Sequence, residues 1–92
     1  MFYLVCYDVV ADRRRNRVAK LLLGYGLRVQ KSVYECLLTE EQLAMVERKL
    51  VRWIDPDEDQ VQFYPMSRPT RQQVKVVGMQ PEREVDDDAF IV

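Results

Sequence analysis

Asp8 ends the apolar run Phe2-Tyr3-Leu4-Val5-Cys6-Tyr7 and shares parity with Phe2, Leu4 and Cys6. That spacing turns its carboxylate toward the side of core residues, where it needs a cation, hydrogen-bond donors or a raised pKa. Two kinds of partner meet the need. The structural kind is an arginine of the following helix, or the Val10-Ala11 turn capped by the carboxylate. The chemical kind is a hard metal ion, since Mg2+ often takes one or two carboxylates and keeps several waters, with Mn2+ as a plausible substitute. One carboxylate makes a thin site, which a two-fold axis beside Asp8 would complete with a second copy.

Arg13, Arg14, Arg15 and Arg17 follow Asp8 closely. The first three crowd the positive end of a helix, each unfavourable by up to ~0.3–1 kcal/mol at low salt. Such a placement makes sense where a polyanion docks, because free N–H groups and guanidinium forks both address phosphate. Arg13, Arg17 and Lys20 also share one helical face, roughly opposite the apolar one. The plainer alternative is a solvated surface that tolerates its charges. Tyr7 and Tyr34 suit core or interface packing, and could alternatively stack on a base or orient a phosphate through the phenol. Ser32 either donates to phosphate or satisfies a strand irregularity.

These residues sit in a chain of 92 residues without histidine, with 14 Lys+Arg against 15 Asp+Glu. Lacking histidine, it cannot run Ser-His-Asp or Cys-His catalysis, and Cys6 and Cys36 alone cannot build a zinc site. Each cysteine lies in an apolar strand-like run, which reads as a buried thiol in a reducing, cytoplasmic setting. No apolar run reaches the ~20 residues of a membrane span, and no basic stretch precedes an apolar segment as in a secretory signal. Charge is distributed in blocks: basic over 1–37, acidic over 38–63, basic over 64–77 and acidic over 78–92. Signed blocks of this kind suit an anion-binding face plus an acidic tail, and Asp86-Asp87-Asp88 is at best a non-specific cation site.

The elements that must position these groups follow from periodicity. Residues 2–7 predict a strand apolar on both faces, compatible with a dimer through its sheet. Asp12 suits an N-cap, and Val18, Leu21, Leu22 and Tyr25 predict a helix over about 12–25. Leu27 to Leu38 reads as extended, with a bulge or break at Gln30-Lys31-Ser32 that divides it in two. Thr39 with Gln42 forms a capping box for a second helix, which ends before Asp55-Pro56. Gln60–Tyr64 and Val74–Val77 predict further strands, and Phe90-Ile91-Val92 a short apolar end. The order predicts an α+β sandwich, one sheet with two helices on one face. A domain over 1–78 and a tail over 79–92 complete the expected organisation.

Tyr7-Asp8-Val9, the run Arg13-Arg14-Arg15-Asn16-Arg17-Val18-Ala19-Lys20-Leu21-Leu22, and the stretch Gly26 to Glu35 containing Gln30-Lys31-Ser32-Val33-Tyr34 together resemble one family. It is that of the small CRISPR-associated adaptation proteins, CRISPR-associated protein two, and the likeness covers almost the whole chain. The resemblance implies a ferredoxin-like βαββαβ fold, a homodimer packed sheet against sheet, and a last strand that joins the partner protomer. It implies a metal-dependent endonuclease on single-stranded RNA or double-stranded DNA, and a scaffold for the spacer integrase. Asp8 matches the family's metal aspartate, shared across the dimer, while Tyr7, Arg15, Arg17, Arg28, Ser32 and Tyr34 match active-site or backbone-contacting positions. Arg13, Arg14, Arg17 and Lys20 are the expected nucleic-acid contacts. Tyr34 departs from the phenylalanine of many relatives, and the acidic tail suits contact with the integrase better than with nucleic acid. A non-catalytic DNA-binding scaffold and a toxin-like RNA-cleaving relative are the competing readings.

Overall fold

The computed structural model describes residues 1–79, and the expected acidic run and terminal strand lie outside the described residues. Seven elements follow in order: β1 (Phe2–Asp8), α1 (Asp12–Leu23), β2 (Gly26–Gln30), β3 (Val33–Leu37), α2 (Glu40–Trp53), β4 (Gln60–Met66) and α3 (Arg68–Gln72). The strands form one sheet in the order β2-β3-β1-β4, antiparallel throughout. This is the ferredoxin-like βαββαβ arrangement, with α3 added after it. β1 lies at the centre because its run is the most continuously apolar, and central strands must fill both flanks with ladder partners. Val5 pairs with Tyr34 on one side and Phe63 on the other, and Asp8 pairs with Gln60.

Strand alternation separates two faces. Val5 and Tyr7 face the helices and join Val18 and Leu22 of α1, Val46 and Leu50 of α2, and Tyr34 and Cys36 of β3 in the core. Phe2, Leu4 and Cys6 alternate to the other face and are only half-buried in the single chain. Gly26 is required by contact rather than flexibility: a Cβ there would stand 1.9 Å from the Glu35 carbonyl oxygen. The expected break appears where the register shifts between Arg28 and Gln30, with Lys31 and Ser32 forming the turn. The capping box also forms, Gln42 N donating to Thr39 Oγ1 at 3.1 Å and Thr39 N to Gln42 Oε1 at 3.0 Å.

Three local expectations are corrected, and one further helix appears. Ala11, not Asp12, is the N-cap of α1, and it provides no side-chain cap. Asp12 instead sits in the first turn, where its carboxylate is held by Arg15 Nη2 three residues on. β4 runs past Tyr64 through Pro65 to Met66. An edge strand accommodates proline because one side of its backbone owes no ladder bond. Ser67 then caps a short helix, accepting from Thr70 N at 3.2 Å, with proline near its start. Finally, Val74–Val77 is not a strand: it pairs with no strand among the described residues, and Val77 is 96% exposed. β-prone residues form a strand only where a ladder and a surface to pack on exist.

α3 lies against the face away from the main helices. Arg71 Nη2 meets Glu35 Oε1 at 2.5 Å, and its guanidinium stands 3.9 Å from the centre of the Phe2 ring. Both members of the pair are buried, at 5% and 6% exposure. Glu35 Oε2 accepts no hydrogen bond among the described residues.

Candidate metal and nucleic-acid site

The antiparallel order gathers one end of every major element together. The C-terminus of β1, the Lys31-Ser32 turn, the start of β4, the start of α1 and the end of α2 meet there. Nearly all the singled-out residues lie at this end, on two sides of the sheet.

Asp8 is on the side away from the core. It is exposed, and among the described residues it makes no ion pair and no side-chain hydrogen bond. The expectation of a carboxylate caught among core residues is thereby overturned: parity with Phe2, Leu4 and Cys6 is parity with the half-covered face. Neither structural partner holds it: the Val10 amide goes to Asp59, Arg14, Arg15 and Arg17 are engaged elsewhere, and Arg13 makes no ion pair among the described residues.

Asp59 takes the cap that Asp8 was offered. Its Oδ1 accepts from Val10 N at 2.9 Å, and its Oδ2 from Asp55 N at 2.8 Å and Arg14 Nε at 2.7 Å. Its side chain is fully covered. Bonding to Arg14, followed by the backbone donors, holds the carboxyl down at about 2, against the opposing effect of burial. Arg14 is also bound to Glu58 at 2.6 Å, and these two carboxylates push its pKa upward. Arg15 Nη1 donates to the Val9 carbonyl at 3.0 Å, and Arg28 Nη2 to that of Lys31 at 3.1 Å. Arg17 stacks over Trp53 at 4.1 Å from the ring centre, worth about 0.5–1 kcal/mol at a site this open. Arg13 and Lys20 remain exposed with no ion pair among the described residues.

Tyr7 and Tyr34 face the core side, their rings stacked 6.1 Å apart and buried. Burial pushes the Tyr7 phenol up, Tyr34 adds to this, and the charges of Arg28 and Arg15 oppose it. The two tyrosines and these two arginines therefore form one neighbourhood, with Asp8 beside it across the sheet. The Ser32 carbonyl accepts from Tyr7 N at 3.0 Å, so its backbone helps to fix the tyrosine. Cys36 is buried and its thiol pushed up to about 12 by burial, with Glu35 adding, whereas Cys6 is only half-buried. Asp59, Trp53 and the Glu35–Arg71 pair were not singled out by sequence. The acidic block after α2 was the available signal for Asp59.

No group of three or more His, Cys, Asp or Glu residues suited to a metal occurs among the described residues. What one chain offers is an exposed, unpaired carboxylate, which suits a hard cation that retains water and leaves its remaining positions open. No helix among the described residues is long and apolar enough to cross a membrane.

Fold and site together define a small ferredoxin-like protein with a lone carboxylate beside an arginine-rich helix start. The family model described as CRISPR associated protein Cas2 matches residues 1–74. The chain is 40% identical to CRISPR-associated endoribonuclease Cas2 1 of Chloroflexus aurantiacus, over the full length of both. It is 41% identical to CRISPR-associated endonuclease Cas2 2 of Thermus thermophilus, covering 90% of this chain and 88% of that one. Among solved structures, Streptococcus pyogenes Cas2 superposes with a TM-score of 0.78 at 35% identity, over 85% of this chain and all of the other. A chain of the structure titled partial Cas6-RT-Cas1--Cas2 complex gives 0.68 at 27% identity, over 91% and 98%. This chain belongs to the Cas2 family.

Proposed function

We propose that this protein is a CRISPR-associated, Mg2+-dependent endonuclease that acts on RNA or duplex DNA as a homodimer, beside the spacer integrase. The observation that carries the reading is Asp8: exposed, without a partner among the described residues, and at the rim of a half-covered apolar sheet face. Relatives named endoribonuclease and endonuclease support phosphodiester cleavage. The superposition on a chain of a Cas1–Cas2 complex supports an integrase partner. Half-buried Phe2, Leu4 and Cys6, with Tyr64 exposed on the paired strand, support a second copy on that face.

Two Asp8 carboxylates, one from each copy, would hold Mg2+ or Mn2+. When bound, the cation supplies charge for the phosphate and a more acidic water. Arg13 and Lys20, exposed and without an ion pair among the described residues, contribute cationic groups for the nucleic-acid backbone, and Arg17 presents a guanidinium already oriented by Trp53. Arg15 and Arg28 brace the β1–α1 and β2–β3 turns; to stabilise transition-state charge directly they exchange a carbonyl for phosphate. Tyr7 and Tyr34, being buried, shape the strand end rather than stack on bases.

The second reading is a DNA-binding scaffold without turnover, favoured by the absence of a further general-base candidate beside Asp8 among the described residues. Labelled RNA and duplex DNA, incubated with protein and Mg2+ or with chelator, separate the two. Cleavage that requires the cation supports the nuclease. Tight, cation-independent duplex binding without any cleavage supports the scaffold.

A further inference from the structure

The β1–α1 turn, Val9 to Ala11, follows Asp8 directly, and two side chains hold its path, one from the start of α1 and one from the loop before β4. Arg15 takes the Val9 carbonyl at 3.0 Å, with a longer 3.4 Å contact to that of Val10. Asp59 takes Val10 N at 2.9 Å from the far side of the molecule's sequence. Asp59 is itself next to Gln60, the ladder partner of Asp8. One residue thus ties the strand end twice, through its neighbour's backbone pairing and through its own carboxylate. The loop that carries it is closed on itself, with Asp59 N donating to the Asp55 carbonyl at 2.8 Å and Asp57 N to Asp55 Oδ1 at 2.9 Å. A ligand on an exposed strand end keeps its aim only if the residues after it cannot swing. A buried carboxylate that receives backbone and guanidinium donors together is well suited to that restraint.

We propose that Asp59 is a positioning residue for Asp8, acting through the Val10 amide, and that Arg14 serves as its counter-charge rather than as a phosphate contact. This rests on the reading of Asp8 as a metal ligand. Neither residue touches the cation or the substrate. Their effect is on the direction of the Asp8 carboxylate and the start of α1.

The test compares wild type, Asp59→Ala, Asp59→Asn and Arg14→Gln, with Asp8→Asn alongside. Each is measured for Mn2+ affinity by electron paramagnetic resonance, for kcat and KM on labelled nucleic acid, and for duplex affinity against salt. Values are taken per folded molecule. Asp59→Ala is expected to lose roughly 10–100-fold in Mn2+ affinity and kcat with KM nearly unchanged, and Asp59→Asn, which keeps an oxygen for Val10, to lose less. Arg14→Gln is expected to weaken both quantities while leaving duplex affinity and its salt dependence unchanged. Where Asp59→Ala does not fold, Asp59→Asn decides by the same two quantities. Folded Asp59 variants with wild-type Mn2+ affinity and kcat would overturn the proposal, as would an Arg14→Gln variant altered only in duplex binding. If Asp8→Asn loses metal and cleavage while Asp59→Ala keeps both, the positioning role alone fails. If Asp8→Asn itself keeps both, the metal reading fails and the positioning role falls with it.

Discussion

β1 presents two sides built from one apolar run, and they have different surroundings. On the helix side, Val5 and Tyr7 are sealed by α1, α2 and β3. On the other side, Phe2, Leu4 and Cys6 are half-covered, α3 shields one end through Arg71, and Asp8 stands in the open at the other. The covered side holds the apolar core of a single chain. The open side holds half-exposed apolar area and a carboxylate with no partner among the described residues. It is this second apolar face of β1 that the proposed second copy would cover.

The sharpest way to break this contrast is at the charged pair that the open face buries, Glu35 with Arg71. Arg71→Ala leaves Glu35 without its counter-charge and is expected to cost about 3–5 kcal/mol of unfolding free energy by urea titration. A loss below about 1 kcal/mol would mean that α3 contributes little to that face. Next in size is the core itself. Leu22→Ala, on the sealed side, is expected to cost about 2–5 kcal/mol. Leu4→Ala on the open side is expected to cost about 1 kcal/mol or less in the separated protomer, but to weaken self-association in sedimentation. Equal losses without any change in association would erase the distinction between the faces.

Acid sharpens the comparison further, because Asp59 is covered and paired, whereas Asp8 is exposed and makes no ion pair among the described residues. The Asp59 carboxyl falls from 3.8 to about 2 on folding. Between those values the unfolded chain takes up a proton that the folded chain refuses. The stabilisation is therefore full above about pH 4 and lost as pH falls toward 2. Wild type should thus lose its stability margin over Asp59→Asn across that window, measured by urea midpoints at stepped pH. A constant margin would contradict the pairing. The smallest effect concerns the arginines. Arg13→Ala and Lys20→Ala are each expected to reduce the slope of log affinity against log salt for duplex DNA by about 0.9. Arg14→Ala should leave that slope unchanged, since Glu58 and Asp59 already neutralise it.

Much of the frame was legible because it is written locally. The 2–7 run, the Thr39/Gln42 box and the interruption at Gln30–Ser32 each carry their cause within a few residues. So does the apolar spacing of both helices. What was not legible depends on chain segments meeting from afar. Asp8 was expected on a buried side, because parity shows which residues share a face but not which face the helices cover. Arg14 looked like its neighbours Arg13 and Arg15 until the loop at 55–59 supplied two carboxylates. The strand expected at Val74–Val77 has the right residues and no partner among the described residues, while Ser67-Arg68-Pro69, a cap followed by proline, carries the local signal for the start of α3.

Asp8→Asn tests the account most directly, by Mg2+-dependent cleavage and thermal melting of the same preparation. Because Asp8 is exposed and has no partner among the described residues, the melting temperature without metal should stay level or rise, while hydrolysis falls roughly a hundredfold or more. A folded Asp8→Asn protein that cleaves at the wild-type rate, or a large loss of stability in the variant, would contradict the assignment of Asp8 to the metal.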